Sequence, residues 1–397
     1  MKLSQFAKNY FSLGLRINKH IPGYVEHYYG PSIVKKKVDL EEKISPKKLL
    51  TDYYKLIKEL PNQGYNQRRL NFLNKNLIAI EAILNKLNGK QLPYLDLVEK
   101  LFDFKPVQYE DDFFYELAAK ADEVYQGKGS LSERMNNYAN RRTIPKRKVK
   151  DNFIKTLIIA QQKTKELFPS LLPDKESVVV NERENQSWPL YCWYQGNFNS
   201  IIDINIDRIH YWTYLLYNVC HEGYPGHHTE RSVREELLFR RKGYFESSIL
   251  MIYTPEMVIS EGIGVTAEVV IFDPIESAQI LLNNLDHTNL KLDEDLDSLI
   301  KQNEIRKCFR KFESNLALHK YVDEWSESRI VKYIKSFEII DDKVIPGILT
   351  FISDELWGPY MQTYQGERLI TNKFGEKPSP LDFRRILTEQ TLPSDLV

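Results

Sequence analysis

Over residues 70–84, apolar side chains recur at alternating three- and four-residue steps (Leu70, Leu73, Leu77, Ile80, Leu84). That is the spacing that keeps one face of a helix apolar. Residues 112–125 and 150–167 repeat the pattern, so 1–175 reads as mainly helical. The period then changes. Residues 178–180 are three consecutive valines, and 201–206 is rich in isoleucine, with Gly196-Asn197 as a turn signal before it. Short β-branched runs bounded by a turn predict strands. From about residue 210 helical patterning returns and continues through the segment after Pro346. The expected fold is mostly α with a small β-sheet. No repeat, low-complexity tract or Pro/Gly-rich linker divides the chain. The expected organisation is therefore a single compound unit over 1–397, with a helical N-terminal half (1–175) closing over a catalytic half (176–397).

Composition narrows the class without naming a function. In 397 residues, 42% are hydrophobic and 28% charged, ordinary values for a globular protein. Lysine plus arginine equals aspartate plus glutamate at 55 each, so no global field favours nucleic acid or an anionic membrane. A basic stretch from Arg134 to Lys150 reads as a solvated face. No apolar run is long enough for a signal peptide or a membrane span. The three cysteines, Cys192, Cys220 and Cys308, are odd in number and widely spaced. They suggest reduced thiols and a cytoplasmic setting.

The candidate chemistry sits in His221-Glu222-Gly223-Tyr224-Pro225-Gly226-His227-His228, which holds three of the eight histidines. Two imidazoles can hold a zinc ion, and a glutamate beside the first can take a proton from the attacking water. The spacing is not the usual four. On a straight helix, His227 would lie about 120° round from His221, and His228 about two turns, roughly 10 Å, along the axis. Neither is within reach of a common ion. Pro225 cannot donate to the carbonyl of His221, and Gly226 tolerates unusual dihedrals, so a break at 224–226 is expected. It would carry one of the later histidines back, and spacing does not choose between them. The candidate third ligand is Glu261, in a segment that opens Thr254-Pro255-Glu256, with Thr254 as N-cap and Pro255 as the first helical residue. Gly262, Gly264 and Ala267 would let this helix approach closely, and Glu268 shares the face of Glu261. Two His and one Glu leave a position open, as catalytic zinc sites do. Cys220 adjoins His221 but points to a different helix face, so packing is its expected role.

The stretch His-Glu-x-x-Pro-Gly-His followed by Glu-Gly resembles the signature of the domain-of-unknown-function family 885, a set of predicted gluzincin-like zinc metallopeptidases. The run from Ile21 to Pro31, the segment from Tyr194 to Asp207 and the closing Trp357–Leu369 stretch are similar to that family's opening, strand and closing segments. The resemblance implies His221, His227 and Glu261 as ligands of one Zn2+ per chain, and Glu222 as general base. Where many relatives have Glu-Gly-Trp-Ala, this chain has Glu261-Gly262-Ile263-Gly264. It further implies Tyr364 as the donor to a developing oxyanion, with Tyr360 as the nearest competitor. Arg368 is the candidate partner for a substrate carboxylate. The expected function is a zinc-dependent peptidase acting on short peptides, with an exposed edge strand holding the substrate backbone. The alternatives are a non-peptide amidase at the same centre and a metal-bearing binding protein without turnover.

Overall fold

The computed structural model describes residues 3–283, 296–355 and 357–397. It is mostly helical, with two small sheets. The N-terminal part is built from α1 (Gln5–Asn18), α2 (Ser32–Leu40), α3 (Pro46–Glu59), α4 (Gln67–Leu87), α5 (Tyr94–Phe102), α6 (Asp111–Val124), α7 (Leu131–Asn140) and α8 (Val149–Leu167). The helices expected at 70–84, 112–125 and 150–167 are α4, α6 and α8. On α4, Leu73, Leu77, Ile80 and Leu84 are all fully buried, while Asn74, Lys75 and Glu81 are partly exposed; Asn76 is buried and its amide donates to the Phe72 carbonyl.

Five strands follow the chain as β1 (Val25–Tyr28), β2 (Ser177–Arg183), β3 (Leu190–Gly196), β4 (Asn199–Asn205) and β5 (Ile249–Met251). The larger sheet has the order β2-β4-β3. β2 runs parallel to β4, with Val179 opposite Ile201, and β3 runs antiparallel to it, with Cys192 opposite Ile202. The β3–β4 turn passes through positive φ at Gly196, Asn197 and Phe198. The Glu235 carboxylate accepts the N–H groups of Asn197 and Phe198, which fixes a conformation side-chain-bearing residues seldom adopt. The smaller sheet pairs β1 with β5, antiparallel, and so ties residue 25 to residue 251.

The site-bearing helices are α9 (Leu215–Glu222), α10 (His227–Arg234) and α11 (Pro255–Ile271). Nearly every residue of α11 is buried, which fits its apolar, small-residue sequence and its position at the centre of the molecule. Thr254 does occupy the N-cap position with extended backbone, but its hydroxyl donates to the Met251 carbonyl rather than capping α11. Around α11 pack α4, α5, α8, α9, α10 and β5. The chain continues as α12 (Pro274–Asn283), α13 (Leu296–Lys307), α14 (Phe309–Tyr321), α15 (Glu327–Ser336), α16 (Ile345–Ser353), α17 (Trp357–Tyr360), α18 (Gly366–Phe374) and α19 (Pro380–Thr388). α18 crosses α11 where Gly366 meets Gly262. A Cβ on Gly366 would stand 2.1 Å from the Val258 carbonyl oxygen, so the crossing is backbone on backbone. Among the described residues no helix is long and apolar enough to cross a membrane.

Candidate metal centre

α9 ends at Glu222, and the chain reverses before α10 begins at His227. The N–H of Gly226 returns to the Cys220 carbonyl at 2.9 Å. A Cβ on Gly226 would lie 2.0 Å from the His221 carbonyl oxygen, so this reversal requires glycine. Its effect is to bring the imidazoles of His221 and His227 to 4.6 Å between ring centroids, at 82° to one another. The break expected at Pro225-Gly226 is present, and it carries back His227. His228 turns the other way. Its two ring nitrogens meet Ser200 Oγ at 2.8 Å and Glu176 Oε2 at 3.0 Å. Ser200 and His228 are sealed from solvent at 1% and 0% exposure, so His228 pins α10 to the sheet.

Glu261 completes the cluster from α11. Its carboxylate oxygens lie 3.8 Å from His221 Nε2 and 4.0 Å from His227 Nε2. One donor atom from each of the three residues falls within 4.8 Å of the others, all three residues being buried. Ligand atoms around a tetrahedral ion with bonds of roughly 2.1 Å stand about 3.4 Å apart, so the group fits a single metal ion after a small inward movement. Gly264, one turn beyond Glu261, makes room for the His221 ring. A Cβ there would sit 2.7 Å from the imidazole.

The surroundings orient these groups. Ser260 Oγ lies 3.3 Å from His227 Nδ1 and donates to Glu230 Oε2 at 2.6 Å. His227 is therefore held by its far nitrogen, leaving Nε2 toward Glu261. Burial disfavours the Glu230 anion, but Arg234 and His227 outweigh it and hold the carboxyl at about 2. Burial pushes the His221 pKa well down, reinforced by His227 and Arg310, so its nitrogen is available as a neutral ligand. For His227, burial and Arg231 push downward, while Glu230, Glu261 and Glu222 together raise it. Glu222 shares the cavity with all three candidate ligands. Burial raises its pKa, and the neighbouring carboxylates of Glu261 and Glu26 add to the effect.

The cavity encloses about 260 Å³. Tyr360 and Tyr364 both line it. The Tyr360 hydroxyl donates to Glu261 Oε1 at 3.1 Å, so it holds a ligand carboxylate in place. Arg368 is not among the lining residues. It lies on α18 beside Tyr109. Glu268 bonds to Asn303 and Arg306 instead of orienting a ligand, and Cys220 is packing, as expected. Leu190, Tyr191 and Cys192 of β3, the edge of its sheet, form one wall.

Two charged lining residues, Glu26 and Arg310, had no role in the sequence reading. Glu26 on β1 pairs with Arg231, which also donates to the Cys192 carbonyl at 2.7 Å. Arg310, the second residue of α14, donates to Glu261 Oε2 at 3.5 Å and lies 4.6 Å from the Tyr364 ring centroid. Glu26 falls inside the Ile21–Pro31 segment that carried the resemblance. Arg310 sits in Arg306-Lys307-Cys308-Phe309-Arg310-Lys311, which reads like any solvated helix start.

No family model and no curated protein matches this chain. Solved structures do. One, a "putative lipoprotein" from Colwellia psychrerythraea, superposes with a TM-score of 0.51 at 13% identity, over 92% of this chain and 60% of that one. The chain thus spans well under two thirds of that protein's length. A second, a "putative lipoprotein of unknown function" from Shewanella oneidensis, gives 0.45 at 12% identity, over 87% of this chain and 71% of that one. At such identity the Colwellia likeness is one of fold.

Proposed function

We propose that this chain is a zinc-dependent hydrolase that cleaves amide bonds of short peptides, with one ion per chain in a gluzincin-like arrangement. The observation that supports this most is the meeting of His221, His227 and Glu261 in one cavity with Glu222 and the edge strand β3. Two imidazoles and a carboxylate form an open ligand set, and zinc bound there would polarise a carbonyl and make water a better nucleophile. Glu222 takes the proton of the attacking water as its oxygen bonds to the carbonyl carbon. It then passes that proton to the amine as the C–N bond breaks. Its raised proton affinity suits both halves of the task. Tyr364, whose proton burial retains, donates to the carbonyl oxygen as charge develops there. β3 lies at the edge of its sheet beside the cavity, and an extended peptide would add to it beyond the Cys192 carbonyl that Arg231 already occupies. None of the three cysteines is in a disulfide, which suits a reducing, cytoplasmic setting.

Elemental mass spectrometry on the purified protein, with His221→Ala and Glu261→Ala beside it, tests the ligand set. We expect one zinc per chain in the parent and none in either variant. Glu222→Gln should keep the ion and lose turnover of a mixed peptide library by about 10²- to 10⁴-fold. Undiminished turnover in that variant would overturn the mechanism.

A further inference from the structure

Arg310 is the cation of this site whose one carboxylate contact, Glu261, is also a candidate metal ligand. About a third of its side chain (31%) stays accessible, although it borders a buried ligand. Among the described residues, its guanidinium makes one hydrogen bond, the long 3.5 Å contact to Glu261 Oε2. The rings of Tyr364 and Tyr217, at 4.6 and 5.8 Å, hold it on its flanks and leave its donors toward the cavity. The other cation here, Arg231, is committed to Glu26 and to the Cys192 carbonyl. Glu313, one turn along α14, lines a separate larger cavity; burial favours its neutral form, Arg310 opposes this from a distance, and among the described residues no hydrogen bond or ion pair joins the two. Charge balance then follows. Glu222 and Glu261 offset a dication, Glu26 offsets Arg231, and Arg310 is left over. A cavity with one unmatched positive charge, carried by a planar fork of N–H donors, selects a monoanion with two coplanar oxygens.

We propose that Arg310 anchors the free C-terminal carboxylate of the substrate, which makes the enzyme one that releases a single C-terminal residue from a short peptide. This rests on the hydrolase reading above. The register supports it. Arg310 stands one carboxylate away from the histidine ligands, through Glu261 at 3.5 Å on one side and 3.8 Å on the other. One residue of chain, ~3.3–3.6 Å, separates a terminal carboxylate from the carbonyl before it. Both legs end on the same Glu261 oxygen, so Arg310 and His221 Nε2 lie no more than two such contacts apart, a span that a terminal carboxylate and the carbonyl one residue before it can bridge. Arg368, the anchor expected from sequence, is not among the residues that line the cavity.

The test compares N-acetyl-trialanine with its C-terminal amide on the zinc-loaded protein. The parent should favour the acid about tenfold or more, chiefly in KM, the worth of a charge-assisted hydrogen-bonded pair. Arg310→Gln should raise KM for the acid by a similar factor and erase the preference, and Arg310→Lys should restore part of it. An equal kcat loss on both peptides would instead assign Arg310 to the carbonyl oxygen and overturn the anchor. Calorimetry with zinc-loaded Glu222→Gln reads binding without turnover and without a change at 310. Acid-selective binding supports the anchor even where the parent hydrolyses neither peptide, a result that would sink the hydrolase reading alone. Binding of neither peptide, or of both alike, overturns the anchor.

Discussion

His227 and His228 are adjacent and both buried, yet the fold gives them opposite tasks. His227 Nε2 faces Glu261 with its other nitrogen held by Ser260, whereas both nitrogens of His228 are taken by Ser200 and Glu176. We expect His227→Ala to lose the ion with little change in fold, and His228→Ala to keep it. The second variant strips Glu176 and Ser200 of a buried partner, which should cost about 1–3 kcal/mol in a denaturant titration. Metal loss in His228→Ala with retention in His227→Ala would reverse the assignment. The sequence made the break visible, because proline and glycine between two histidines have few other uses. It did not show the direction of the turn, which depends on the dihedrals at Gly223 and Gly226 and on the close fit of Gly226 against the end of α9. Arg310 was hidden for a different reason. A single arginine at a helix start carries no periodic or motif signal, and only the packing of α14 near α11 gives it one.

Elements were legible to the extent that one face decided them. α4, α6 and α8 each bury one stripe, so their periodicity could be read, whereas β3 could not be read as a strand from its residues. Its Leu-Tyr-Cys-Trp-Tyr-Gln-Gly sequence mixes aromatic and polar positions because one side meets the cavity and the other the sheet. The parallel pairing of β2 with β4 was equally invisible, since composition does not encode strand order. For α11, the small residues announced a close approach, and the structure shows against what: Gly262 against α18 and Gly264 against the His221 ring. Gly264→Ala therefore has a site-specific consequence. Alanine is the better helix former by about 1 kcal/mol, so the helix itself gains. The new methyl, 2.7 Å from the imidazole, must push His221 off its ligand position. Zinc affinity should fall by about tenfold, the usual cost of disturbing a group that positions a ligand, while the circular dichroism stays that of the parent. Unchanged affinity in a competition with a chelating dye would show that the ring has room to move.

At the scale of the molecule, the candidate site is shared by both halves of the chain. Among the described residues β5 pairs with β1 alone, and β1 supplies Glu26 to the cavity wall. Arg69 on α4 forms a two-pronged pair with Glu246 at 2.8 and 2.7 Å, where Glu246 is 1% exposed. Cutting the chain at residue 175 would remove the partners of both Glu246 and Arg231 at once. The helices that would cover α11 from the N-terminal side, α4, α5 and α8, would go with them, exposing much of its apolar surface. A fragment of residues 176–397 expressed alone should therefore show no cooperative melt and no stoichiometric zinc. If it folded and bound one ion per chain, the N-terminal helices would be a cover over an autonomous catalytic half. Loss of both properties, recovered when the 1–175 fragment is supplied in trans, would show that the ligand geometry is set by the core common to the two halves.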